Sequence, residues 1–375
     1  MENHSFVKYA LEKLELYSNF CVALARTETL PQNDVKAFND KMKLYLDTFC
    51  AGQEIFWGQY DRNCFFMCLP DFRPKNGEEK CHELSRALLK NGITITIGLA
   101  AFPFADYSRI DTFINAKKAL VHAGFFDPGA IVPFDSVSLN ISGDNYYDAD
   151  DLENAISEFK KAIELDNTNA NAMNSLGECY GRLKDFEKAE EMFNQAITLN
   201  ARDYIARYNL GLLKLLQGKR EEALGLFLQA YNSQGDMFEL TFQIGKLYLE
   251  RKEFAKAREF LTKAVEQAPQ SAYVLRHLAD ALHGDGKLDE AIKAYKKVLS
   301  QNPMDPHCLA ALADIFHKKG ENPEIPLMFY KESIKLAPEQ GDLRYKLGKF
   351  YMSQDMTDEA IREFNKARVL GYTKE

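Results

Sequence analysis

Between residues 139 and 372, apolar and small residues recur at helical spacing inside a longer period of 34, and this double pattern predicts seven pairs of helices. Small residues stand at Gly143, Gly177, Gly211, Gly245, Ala279 and Ala313, each 34 positions after the last, and one inserted residue places the next at Gly348. A second ladder runs in phase. Ala155, Ala189, Ala223, Ala257, Ala291 and Ala360 each follow their own small residue by 12 positions, with Phe159, Phe193, Phe227, Leu261, Tyr295 and Phe364 four further on. In each pair the small residue lets the first helix approach the second, the alanine accepts that approach, and the aromatic is expected to fill the space between successive units. Pro269 and Pro303 fall 34 apart, Pro338 follows after the same slip, and each lies just past a helix end where proline cannot continue the helix.

A 34-residue period with these contents resembles the tetratricopeptide repeat. The resemblance implies antiparallel helix pairs stacked into a superhelical solenoid over residues 136–375, with the first helices lining a concave face that binds partners.

Residues 1–135 read differently. Helical spacing to about Tyr17 is followed by an apolar strand at Phe20–Ala25, a helix from about Asn33 to Phe49, and strands at Ile55–Gln59 and Cys64–Leu69 around the turn Tyr60-Asp61-Arg62-Asn63. A helix at Glu78–Lys90, the β-branched run Ile93–Ile97, a helix at Ile110–Ala123 and a strand at Ala130–Phe134 complete a small α/β domain. The run ITITIGLAAFP at Ile93–Pro103, with Ala116-Lys117-Lys118-Ala119-Leu120 and Ile131-Val132-Pro133-Phe134-Asp135, resembles the carboxy-terminal half of a GGDEF domain, the diguanylate cyclase fold of bacterial signalling. An unrelated ferredoxin-like or other small α/β sensor domain has the same strand order.

The departures from the GGDEF pattern bear on activity. The resemblance implies a Gly-Gly-Asp-Glu-Phe hairpin that admits nucleotide phosphates and, with an Asp at the first strand end, holds metal ions. Here the hairpin reads Asp61-Arg62-Asn63-Cys64-Phe65, and the strand end reads Ala25-Arg26-Thr27 with Glu28 the nearest acid. Side chains block the phosphate approach and most oxygen ligands are gone. The Arg-x-x-Asp of a product-inhibition site is replaced by Gly52 and Ile55. The first domain is therefore expected to be non-catalytic, with no cofactor and no metal. The competing reading is a sensor of GTP or cyclic di-GMP, or a weak cyclase, that relays to the repeats.

The net charge of −8 argues against nucleic-acid and anionic-membrane partners, and no apolar run reaches membrane-spanning length. Seven cysteines fit neither zinc spacing nor a disulfide scaffold, which points to a reducing cytoplasm. Cys64 and Cys68 share a strand face and read as buried small hydrophobes.

Projection of the first helices gives inward candidates for a protein or peptide ligand: Asn171, Asn174, Glu178, Tyr208, Asn209, Leu212, Phe242, Lys246, Arg276, Asp280, Tyr345 and Lys349. Asparagines suit an extended peptide backbone, while Tyr208, Leu212, Leu215 and Phe242 are expected to form an apolar floor; Leu212 and Leu215 also fit simple packing between helices. The resemblance allows a chaperone-tail clamp of Lys, Asn and Arg, but the matching places hold Asn140, Asp144, Ser175, Ile205 and Asn209. Asp280-x-x-His283 and Asp314-x-x-His317 recur one unit apart and read as surface ion pairs. Around Ile361, Phe364 and Val369 the last pair carries apolar residues, and a homodimer through this C-terminal repeat is expected, the alternative being that Arg362, Glu363 and Lys366 make the face polar enough to meet water.

Overall fold

Residues 2–28, 35–202 and 204–372 are described by the computed structural model, and they divide into two compact units, Met1–Ala201 and Arg202–Glu375. In the first unit, α1 (Glu2–Leu14), β1 (Phe20–Thr27), α2 (Val35–Cys50), β2 (Phe56–Asp61), β3 (Cys64–Pro70), α3 (Pro74–Leu89), β4 (Ile95–Phe102), α4 (Arg109–Ala123) and β5 (Ile131–Pro133) follow the expected order. The expected helix start at Asn33 lies outside the described residues.

The five strands form one sheet in the order β2-β3-β1-β4-β5. Strand β1 runs antiparallel to β3 and β4, whereas β4 and β5 are parallel. Its sequence, Phe20-Cys21-Val22-Ala23-Leu24-Ala25, is apolar on both faces because both are covered. Phe20, Val22 and Leu24 face a core with Ala10 and Leu14 of α1 and Phe113, Ala116 and Leu120 of α4. Cys21, Ala23 and Ala25 face Met42 and Leu46 of α2 and Cys81, Leu84 and Leu88 of α3. Gly98 of β4 is where α4 touches the sheet backbone: a Cβ there would lie 2.0 Å from the Leu120 amide nitrogen and 2.3 Å from the Ala116 carbonyl oxygen. Cys68 is fully buried and its thiol pKa is pushed up by desolvation; the cysteines are free.

Two helix pairs complete this unit: α5 (Ser136–Asp148) with α6 (Leu152–Leu165), and α7 (Ala170–Arg182) with α8 (Phe186–Leu199). The chain enters α5 directly from β5. Asp135 caps α5 in a capping box with Ser138, and Phe134 packs its ring against Phe104 and Tyr107. Ser136 donates to the Ala162 carbonyl at 2.8 Å and accepts from Asn169 at 2.6 Å; Lys118 of α4 pairs with buried Glu158 of α6 at 2.5 Å. Leu139, Ala162 and Ala172 join the core under the sheet.

The second unit holds five pairs: α9 (Tyr204–Leu216) and α10 (Arg220–Gln234), α11 (Phe238–Glu250) and α12 (Phe254–Gln267), α13 (Ala272–Gly284) and α14 (Leu288–Gln301), α15 (Pro306–Lys318) and α16 (Glu324–Leu336), α17 (Gly341–Ser353) and α18 (Thr357–Val369). The small-residue ladder has the expected physical basis. A Cβ at Gly143, Gly177, Gly211 or Gly348 would fall 2.4, 2.7, 2.5 or 2.6 Å from the ring of Phe159, Phe193, Phe227 or Phe364. The ring thus covers its own unit's glycine, and in the first pair it also reaches Leu176 and Cys179 of the next.

Candidate functional site

In the second unit the first helices of successive pairs lie against one another, α11 on α13, α13 on α15 and α15 on α17, so their outward positions form one continuous face. Two neighbouring features occupy it. One is an aromatic ledge. Phe242 lies between Phe238 (ring centroids 5.9 Å), Tyr273 (5.5 Å) and His277 (5.3 Å). Tyr273 caps the group and is 53% exposed, whereas Phe242 is only 8% exposed. Lys246 sits 5.8 Å from the Phe242 ring centre and Arg276 sits 5.9 Å from that of Tyr273.

Arg276 leads from the ledge into the second feature, a groove of about 820 Å³ lined chiefly by α13 and α15, with Lys346 of α17 at its side. Ser271 and Asp305 set the starts of α13 and α15 by accepting from the Val274 and Cys308 amides. The groove's acids are held from below. Asp280 accepts from the Tyr295 hydroxyl at 2.6 Å, and Asp314 accepts from the Tyr330 hydroxyl and pairs with Lys346 at 3.3 Å. Burial raises the Asp280 pKa, and burial beside an aspartate raises those of both tyrosines. Lys318 points its ammonium at His283 Nε2, 2.9 Å away. Desolvation, aided by Lys318, pushes the His283 pKa down to about 4, so the imidazole is the neutral acceptor of that bond.

The Asp-x-x-His pairs are therefore not the surface ion pairs that their spacing suggested. Each aspartate turns to a tyrosine hydroxyl beneath it, while His283 and His317 bond to Lys318 and Ser353 of the following first helices. Where units have alanine as the small residue, Ala279-Asp280 and Ala313-Asp314, the covering aromatic is Tyr295 or Tyr330 in place of phenylalanine. That linked change was visible in the sequence.

Of the residues expected to bind a partner, Asn171 and Asn174 lie on α7 in the first unit. Asn171 is exposed; Asn174 is 9% exposed and donates to Glu178 at 2.9 Å. In the second unit Tyr208 is half-buried with its ring 5.5 Å from Phe227, Asn209 is half-buried, and Leu212 and Leu215 pack into the core that includes Phe242. The floor expected from Tyr208, Leu212 and Phe242 is thus largely interior packing. Phe242, Lys246 and Arg276 come together around Tyr273. Projection missed Tyr273, His277, Lys318 and Lys346, which stand at other outward positions of the same helices.

At the β2–β3 turn, the Arg62 amide donates to Asp61 Oδ1 at 2.6 Å, and Arg26 pairs with Glu28 at 3.2 Å. Among the described residues, no group of three or more His, Cys, Asp or Glu side chains is arranged to hold a metal ion, and no helix is long and apolar enough to cross a membrane.

Tetratricopeptide-repeat signatures match residues 135–202 and, in overlapping stretches, 180–324, together about half of the chain. The BBSome complex member BBS4 of Bos taurus is 26% identical over 144 residues, which are 38% of this chain and 28% of that protein. Among solved structures, YrrB, described as a TPR protein with an unusual peptide-binding site, is 21% identical with a TM-score of 0.46, covering 48% of this chain and 92% of its own. A tetratricopeptide repeat protein from Parabacteroides merdae is 20% identical with a TM-score of 0.45, covering 64% and 94%. With its ladder of small residues filled by rings and its matched signatures, the chain belongs to the tetratricopeptide-repeat family.

Proposed function

We propose that this chain is a non-catalytic adaptor that binds a protein or peptide on the concave, first-helix face of its repeats. The observation that carries this reading is the exposed Tyr273 ledge continuing through Arg276 into the α13/α15/α17 groove. An exposed aromatic anchor beside a groove with fixed polar groups is the arrangement by which interfaces gain most of their affinity. The bovine relative is itself named as a member of a complex, in keeping with an assembly role.

Residues 1–135 serve, in this reading, as a degenerate GGDEF-like regulatory or docking domain, followed by repeats over 136–375. The turn residues Asp61, Arg62 and Asn63 and the Arg26–Glu28 pair support a non-catalytic role, because a guanidinium at the strand end opposes a divalent ion. We place the protein in the cytoplasm on its free, largely buried thiols, and extend the reading to a homodimer through α18, on which Ile361 and Val369 are 50% and 84% exposed. The net charge of −8 disfavours nucleic acid and anionic lipid as partners.

Affinity capture with the purified full chain tests the reading. Partners retained by the wild type are expected to be lost from Tyr273→Ala and Arg276→Ala variants that keep full helical signal. Retention by both variants overturns it. Calorimetric titration with GTP and cyclic di-GMP is expected to give no binding heat, and saturable binding of either favours a nucleotide sensor instead.

A further inference from the structure

We propose that the α13/α15/α17 groove holds a single carboxylate side chain of an acidic peptide segment, with Lys318 as its principal partner and Arg276 and Lys346 beside it, while a neighbouring apolar side chain of the segment rests on Tyr273. The inference depends on the first-helix face being the binding surface and names what that surface selects.

Three observations carry it. Arg276, Lys318 and Lys346 come from three successive first helices and line one groove. The nearby carboxylates are already engaged: Asp280 by Tyr295, Asp314 by Tyr330 and Lys346, and Asp305 by the Cys308 amide at 3.0 Å. The free oxygen of Asp305 lies 3.6 Å from Arg276, beyond a direct hydrogen bond. Of these three cations Lys318 alone faces a neutral group, His283, and among the described residues it has no carboxylate partner. An anion that displaces this weak pairing gains a charge-assisted hydrogen bond.

The charge count selects the kind of anion. Of the three cations, Arg276 has Asp305 at 3.6 Å and Lys346 has Asp314 at 3.3 Å, while Asp280 is held by Tyr295, which leaves Lys318 as the one cation in excess. That excess matches one carboxylate, whereas a phosphate carrying about two charges would exceed it and lie against both aspartates. The chain as a whole is acidic, with a net charge of −8, which disfavours non-specific pairing of an acidic segment with the rest of the surface. Tyr273, 53% exposed and joined to the groove through Arg276, supplies the apolar contact that raises this pairing above a solvent-screened ion pair.

Fluorescence anisotropy with the full chain and short labelled peptides tests the proposal. The peptides share one phenylalanine and differ only in flanking glutamates, glutamines or a phosphoserine. Binding of the glutamate peptide is expected, weakened at least about tenfold by Lys318→Glu or by glutamine in place of glutamate, and falling with added salt. Lys296→Glu, a reversal on α14, is expected to leave it unchanged. Equal binding of glutamate and glutamine peptides, insensitive to Lys318→Glu but lost in Tyr273→Ala, overturns the carboxylate assignment while leaving peptide binding on this face intact. Tighter binding of the phosphoserine peptide overturns the single-charge count. No binding of any probe at millimolar concentration overturns the inference, and the affinity capture above then decides the parent reading separately.

Discussion

One substitution made twice in the same helix pair isolates the principle on which the repeats are built. Gly211 of α9 and Gly225 of α10 are both helical, and alanine at either adds the same methyl group. At Gly225 nothing lies within 4 Å of the new Cβ. There the change gives only the helix-propensity gain, about 1 kcal/mol. At Gly211 the same gain is opposed by the Phe227 ring, whose Cε1, Cδ1 and Cζ atoms lie 2.5, 2.8 and 3.0 Å from the new Cβ. Phe227 is fully buried and its neighbours Ala223, Ala230 and Leu240 are buried too, so the ring has no open space to enter. Overpacking of this kind costs about 1–3 kcal/mol, which leaves Gly211→Ala destabilised by about 1 kcal/mol net. The two variants are then separated by about 2 kcal/mol, or about 4–8 °C in Tm for a unit of this size. Thermal and urea unfolding followed by far-ultraviolet circular dichroism reads the difference directly. A Gly211→Ala protein as stable as Gly225→Ala would refute the account of the ladder.

Other outcomes follow from the groove and the last pair. Tyr295→Phe removes the hydroxyl that Asp280 accepts from at 2.6 Å, and urea unfolding is expected to show a loss of about 1–3 kcal/mol; no loss means the buried pair contributes nothing. His283 is neutral in the fold, with its pKa pushed down to about 4 against an unfolded value near 6.5, and its ring faces Lys318, Asp314 and Lys346. The unfolded chain therefore binds the extra proton between these values, so the contribution is complete above about pH 6.5 and is lost as pH falls toward 4. Tm measured across that window is expected to fall less steeply in His283→Gln than in the wild type, and parallel profiles would show that His283 is not the titrating group. Light scattering over a concentration series is expected to show a dimer that Val369→Glu and Ile361→Glu dissociate; a strict monomer removes the α18 interface.

The helix pairs were legible because their signal is redundant. Gly143, Phe159 and their counterparts repeat one packing problem, and each copy reports the same solution. The strands were legible for a related reason: the apolar run of β1 and the Ile-Thr alternation before Gly98 reflect burial between helices and sheet. The site was legible only in part. Phe242 and Arg276 do lie on the first-helix face, but whether an outward position stays exposed depends on the following unit. Tyr273 and His277 of α13 cover Phe242 of α11, and nothing within α11 states this. Lys318 and Lys346 carry no periodic signal, because outward polar positions are not fixed by the packing that the repeat encodes. Their meeting with Arg276 comes from the packing of three helices separated by intervening partners.

The central claim is that partners bind the first-helix face of the second unit. Photo-crosslinking with a benzophenone side chain introduced at position 273 on α13, and in a separate protein at position 296 on α14, tests it most directly. The account predicts a discrete crosslinked partner from position 273, abolished by Lys318→Glu in the same chain, and none from position 296. Crosslinks from position 296 with none from 273 would contradict it, whereas crosslinks at 273 that survive Lys318→Glu and Arg276→Ala together would keep the face and remove only the carboxylate pairing.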